Sequence, residues 1–336
     1  MLTIRDLRDH VATVPRVSLG HLPTPLEELP RMSEELGVKI FIKRDDCTGL
    51  AFGGNKTRHL EFTIGAAVSE GCDTIVQGAA SQSNHCRQTA AACAKLGLDC
   101  HLLLVNDERR NPVQGNLLLD HLLGANVHWF DGEIGEPLEA EKKHLANKLA
   151  ADGKKPYVLT PPNSTTLGAI AFANAFCELY EQIDKHSINP ETIFVSSAGA
   201  TQAGLILGKK TLGSTIDIIG IAPIKWDGGN DPKILSAARN AASHLHIEIP
   251  LDQTDVKNDT SYIGQQYGIL TEDGKKAMEL LSHTEGIILD PGYTAKAFAG
   301  LINYVHKGFL DTNQPLLFWH TGGTPALFSY ANEFST

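Results

Sequence analysis

Long apolar runs are missing from this sequence. No segment approaches the roughly 18 residues that a membrane-spanning helix needs, so a soluble chain with no membrane partner is expected. Basic tracts are missing too: Asp and Glu number 39 against 29 Lys and Arg, a formal charge of −10. Without a cationic patch, binding to nucleic acid is disfavoured. Cysteine is sparse, and Cys47, Cys72, Cys86, Cys93, Cys100 and Cys177 form no CxxC pair. The N-terminal stretch MLTIRDLRDHVATVP carries Asp6 and Asp9 where a signal peptide would be apolar. Reduced thiols in the cytoplasm follow as the expectation. None of the 14 histidines falls in an HExxH pattern or at ligand spacing with cysteine, so no metal site is expected. Low-complexity tracts, internal repeats and long linkers are also absent.

What is present is an alternation. Strand-like apolar runs at 39–45, 73–79, 100–105, 126–130, 156–160, 192–197, 216–223 and 315–320 are separated by helix-like runs, among them 56–70, 83–97, 136–153, 165–185, 231–245 and 272–284. This pattern predicts an α/β fold with open parallel sheets covered by helices. At 336 residues the chain is long enough for two lobes. Ligands of such folds bind outside the carboxyl ends of the strands, so the loops after the strands are where chemistry is sought. The polar segment 249–268 reads as an excursion at the surface or over the site.

The segment GGNKTRHLEF places Lys56 at the start of an amphipathic run. A Walker A loop is excluded by one position, because Asn55 stands where its lysine must be. Lys56 is then either an amine held ready for a carbonyl or a surface charge. A helix N-terminus disfavours the ammonium and burial would push the same way, and on this segment alone the two readings stay open. After the second run, Ser81, Gln82, Ser83 and Asn84 open an Ala-rich helix. Capping accounts for one or two of these residues, and loop amides and hydroxyls around one point would suit a carboxylate. Ala198, Gly199, Ala200 and Thr201 make a small-residue turn into a helix, suited to a phosphate or to tight packing alone. Tyr293, read as following a strand and a Pro-Gly turn, and Thr321 with Gly322 and Gly323 add weaker signals. A Cys86–His85 pair is rejected, since neighbours on a helix point in different directions.

Together these blocks resemble the D-cysteine desulfhydrase and 1-aminocyclopropane-1-carboxylate deaminase group of pyridoxal-phosphate enzymes, of the tryptophan synthase β-like architecture (fold type II). The resemblance runs from LPTPLEELPRMSEELGVKIFIKRDD through GGNKTRHLEF, QSNHCRQTAA and TQAGLILG to EGIILDPGYTAKAFAGLI and HTGGTPALFSY. It implies pyridoxal 5'-phosphate as cofactor and Lys56 as its Schiff-base lysine. It also implies cofactor binding by Asn55, Asn84, Ala198, Gly199, Ala200, Thr201 and Thr321. Gln82, Ser83, Asn84, His85, Tyr293 and Thr294 would bind the substrate, with Ser83 and Tyr293 close to the chemistry. A smaller lobe of residues 51–165, set into a larger one of 1–50 and 166–336, and a homodimer are implied as well. The implied reaction is β-elimination from a small amino acid, giving pyruvate and ammonia plus the leaving group; a cysteate sulfo-lyase or another β-substituted alanine lyase is the alternative. Thr294 stands where the deaminase branch has glutamate, which counts against cyclopropane opening. Ala198 and Ala200 stand where glycine is commoner, and TPPNSTTLGAI (160–170) lacks the Gly-Gly-Ser of the desulfhydrases.

Overall fold

The computed structural model describes residues 1–334. Two sheets organise them. The larger has the order β1 (Leu26–Glu28), β2 (Ile40–Arg44), β10 (Leu316–His320), β7 (Thr192–Ser196), β8 (Asp217–Ile221), β9 (Lys257–Asp259). The smaller has the order β5 (Asn126–Phe130), β4 (Asp99–Val105), β3 (Thr74–Ala80), β6 (Pro156–Val158). Every pairing is parallel except β1 with β2.

Burial explains the sequence of the central strand. All five residues of β10, LLFWH, are buried. Leu317 and Trp319 join one apolar cluster with Phe172, Phe176 and Leu205, while Leu316 and Phe318 join a second with Phe298 and Leu281. Alternate side chains of a strand point to opposite faces, and a parallel strand covered on both faces has no polar side left. A third cluster, built around Ile64, Ile75, Ala90 and Leu102, serves the smaller sheet.

Eight of the ten strands lie where alternation predicts them. β1 and β9 were missed; each has three residues, too few to show a period, and β9 interrupts the polar 249–268 segment. The expected strand before Tyr293 is absent: residues 286–290 are loop, and Tyr293 instead caps the Thr294–His306 helix.

A buried ionic cluster ties β2 to two helices. Lys43 donates to Glu178 at 2.5 Å, and Arg58 to both Glu178 and Asp45 at 2.8 and 2.9 Å. The Trp319 indole donates to Asp45 at 2.9 Å. This fastens the Lys56–Ser69 helix to the Pro161–His186 helix just behind Lys56. Helix and larger sheet also meet through bare backbone. Asn55 N–H donates to Thr321 C=O at 2.9 Å, and a Cβ on Gly322 would stand 2.6 Å from the Gly54 Cα.

Candidate active site

Loops that follow β3, β7, β8 and β10 meet the start of the Lys56–Ser69 helix around one cavity of about 380 Å³. A larger open groove of about 900 Å³ runs along residues 8–23 and the Pro161–His186 helix. Its carboxylates are already paired, Glu181 with Arg8 and Glu178 with Lys43 and Arg58. The smaller cavity is the one that holds unsatisfied chemistry.

Lys56 is the first residue of its helix and takes no hydrogen bond or ion pair with the described residues. Burial pushes its amine down to about 8. Among the described residues no Asp or Glu lines the cavity, so no carboxylate there offsets the effect of burial. From β3, Ser83 caps the Asn84–Leu96 helix by accepting from Cys86 N–H at 3.2 Å, which leaves its own hydroxyl proton free. Asn84 Oδ1 accepts from Arg87 at 3.2 Å and from Asn116 at 3.0 Å. That fixes the amide and leaves its Nδ2 without a partner among the described residues.

His85 can be assigned a tautomer. Gln77 Oε1 accepts from Gly78 N–H at 2.9 Å, so its Nε2 is the end that meets His85 Nδ1, at 3.1 Å. Nδ1 must then accept, and Nε2 carries the proton. Burial, reinforced by Lys56, holds the ring neutral. The result is a buried, unpartnered N–H donor lining the cavity.

At the opposite end β7 runs into Ser197–Thr201. The amides of Ala200 and Thr201 open the Ala200–Leu212 helix and have no acceptor within it. Thr201 Oγ1 accepts from Asn55 Nδ2 at 3.1 Å. Ser196 Oγ is buried without a partner. Thr321, after β10, lines the cavity with a hydroxyl that bonds none of the described residues.

The remaining wall is a tyrosine pair. The hydroxyls of Tyr267 and Tyr293 are hydrogen-bonded to each other. Burial raises both, Tyr293 well above the usual range. Tyr267 comes from the polar segment whose sequence offered no signal beyond its polarity. Lys296 holds that segment down by donating to Ile263 C=O at 2.6 Å.

Two of the residues implied to bind substrate do not line the cavity. The Gln82 amide is used up by Arg109 C=O, Gln114 C=O and Asn116 N–H. Thr294 is fully buried, with its hydroxyl on Asp290 at 2.7 Å and that carboxylate also accepting from the amides of Gly292, Tyr293 and Thr294. Both therefore shape loops that carry lining residues. Trp226, Ile224, Pro223 and Ile134 line the cavity without having been foreseen.

Comparisons with known proteins agree on the family. A family model described as pyridoxal-phosphate dependent enzyme matches residues 17–322. The chain is 38% identical over 325 residues to a D-cysteine desulfhydrase of Salmonella typhi, covering 96% of this chain and 98% of the relative; one from Salmonella newport matches equally. Among solved structures, an ACC deaminase homologue superposes with a TM-score of 0.90 at 34% identity, covering 98% of each chain. A threonine deaminase of T.th. shares the fold at a TM-score of 0.64 and 19% identity, covering 96% of this chain and 98% of that one.

Proposed function

The chain belongs to the pyridoxal-phosphate dependent enzymes, and from that premise we propose a lyase that removes the β-thiol of D-cysteine, releasing sulfide, pyruvate and ammonia. The reading is supported by D-cysteine desulfhydrases at 38% identity over nearly the whole chain. The single observation that carries it is the cavity itself: one lysine whose amine burial lowers to about 8, with unpartnered donors at both ends and no carboxylate among the described lining residues.

Pyridoxal phosphate fits these groups. Lys56 would hold its aldehyde carbon, Asn84 Nδ2 its ring hydroxyl, Thr321 its ring nitrogen, and the amides of Ala200 and Thr201 its phosphate, with Asn55 and Gly199 alongside. When bound, the cofactor delocalises the charge left at the substrate's Cα. A neutral hydroxyl at the ring nitrogen makes a weaker electron sink than a carboxylate would, which suits departure of a good leaving group.

The chain's own residues then have distinct tasks. His85 Nε2–H and the Ser83 hydroxyl receive the substrate carboxylate, beside the amide of Asn84. Lys56, an amine near 8, accepts the Cα proton. The tyrosine pair is raised too high to act as a base near neutrality and serves as an acid, protonating the departing sulfur. Water then hydrolyses the released aminoacrylate to pyruvate and ammonia, which completes the balance.

A thiol suits this cavity better than the sulfonate of cysteate. Among the described residues Lys56 is the only Lys or Arg in the lining, and Arg109 in the adjoining hollow is taken by Glu333 and the Tyr330 ring. The same reading takes residues 51–165 as the smaller lobe and 1–50 with 166–336 as the larger, in a homodimer. Six free cysteines fit a reducing cytoplasm.

The test is a sulfide, keto-acid and ammonia screen over D- and L-cysteine, cysteate, β-chloroalanine, serine and aminocyclopropane carboxylate. D-Cysteine should lead it, and Lys56→Ala should lose both turnover and the visible band of bound cofactor. Wild-type protein that stays colourless with pyridoxal phosphate would overturn the reading.

A further inference from the structure

Trp226 sits in the loop after β8 and has no part in the chemistry above. It is 37% exposed, yet the loop that carries it is tightly bound. Asn230 Oδ1 accepts from Trp226 N–H at 2.9 Å, and its Nδ2 donates to Ile224 C=O and Asn258 Oδ1, both at 2.9 Å. Asn258 Nδ2 donates to Ser197 C=O at 2.8 Å and to Gln202 Oε1 at 2.8 Å. The circuit closes where the Trp226 indole Nε1–H donates to Ala198 C=O at 3.0 Å. All four amide hydrogens of the two asparagines are used, so neither side chain can turn without losing bonds.

What this circuit immobilises is a single peptide unit. The oxygen of the Ala198–Gly199 peptide is on the indole, and its N–H is on Ser197 Oγ at 3.2 Å. Gly199 has no Cβ to resist rotation of that plane. Were the plane to flip, a carbonyl oxygen would be released beside the free amides of Ala200 and Thr201, where it would repel an anion. Among the described residues Lys56 is the only Lys or Arg of the lining; Lys233, whose Nζ stands 5.1 Å from the centroid of the Trp226 ring, lies outside it.

We infer that Trp226 is a positioning residue for the cofactor's phosphate. It pins the Ala198 carbonyl on its indole and so selects a phosphorylated cofactor over the same ring without phosphate. This rests on the proposal that the cavity holds pyridoxal phosphate. The residue belongs to this chain's own solution for a cup in which alanines flank the single Gly199.

The test compares two ligands by the visible absorbance of the bound ring. Apo-protein of wild type, Trp226→Phe and Trp226→Leu is titrated with pyridoxal phosphate and with pyridoxal. Both variants lack the indole N–H, and the phenylalanine keeps an aromatic wall. Loss of one hydrogen bond should weaken pyridoxal phosphate roughly two- to tenfold and leave pyridoxal unchanged in both. Equal weakening of the two ligands would mean general loosening and overturn the inference. So would loss in the leucine variant alone, which would assign the effect to the ring. Wild-type protein that binds neither ligand would overturn the function proposed above, and this inference with it.

Discussion

Burial lowers both Lys56 and His85, but to different ends. For Lys56 the neutral amine is the reactive form. Its lowered value of about 8 predicts that capture of pyridoxal phosphate by apo-protein climbs about tenfold per pH unit below 8 and levels off above it. An ordinary lysine would keep climbing towards 10. Stopped-flow absorbance across pH 6–10 distinguishes the two. For the tyrosine pair, the role as acid predicts a dependence on the leaving group. Tyr293→Phe should lower kcat on D-cysteine by roughly 10²–10⁴. It should spare β-chloroalanine, whose chloride leaves without a proton. Equal losses on both substrates would sink the assignment. At this scale the sequence was legible where side-chain chemistry is local: Asn55, Lys56, Ser83, Asn84, His85, Ala198–Thr201, Tyr293 and Thr321 all line the cavity. Gln82 and Thr294 could not be placed, because which way a loop side chain turns is decided by distant partners, here Asn116 and Asp290.

Between elements, the cluster of Lys43, Asp45, Arg58 and Glu178 sets how the Lys56 helix sits. Burial alone would raise Glu178, but Arg58 and Lys43 hold it down to about 2. A carboxylate lowered on folding contributes stability that is complete above its unfolded value near 4.5 and is lost as pH falls towards 2. Denaturant titrations from pH 6 to 2 should show that decline in wild type, and a much flatter profile in Glu178→Gln. Near neutrality the same substitution should cost about 3–5 kcal/mol, because it leaves two buried cations short of a partner. None of this cluster could be read from spacing, since its members lie up to 135 residues apart. The alternation of strands and helices was readable because a covered parallel strand must be apolar throughout. Tyr267 was not, because a three-residue edge strand and its following loop carry no period.

Over the whole molecule, the cavity takes its lining from loops of both sheets: Ser83 and His85 after β3 of the smaller, Ala198–Thr201, Trp226 and Thr321 after strands of the larger, with Lys56 from the helix between β2 and β3. Anything that binds there binds only the assembled chain. Pyridoxal phosphate at a hundred times its dissociation constant should therefore add about 2.7 kcal/mol to stability, visible as a raised thermal midpoint by circular dichroism. Lys56→Ala should show a smaller rise. The position of β10 has a consequence of another kind. Residues 316–320 lie between β2 and β7 in the middle of the larger sheet, and they are synthesised after both of the strands they join. The smaller sheet can form once residue 158 has emerged. The larger one must wait with two unpaired, apolar strand edges facing solvent. The nascent chain is most exposed to aggregation and to chaperones between the completion of β7 and the arrival of β10, roughly 120 residues, about six to twenty-four seconds of synthesis at about 5–20 residues per second.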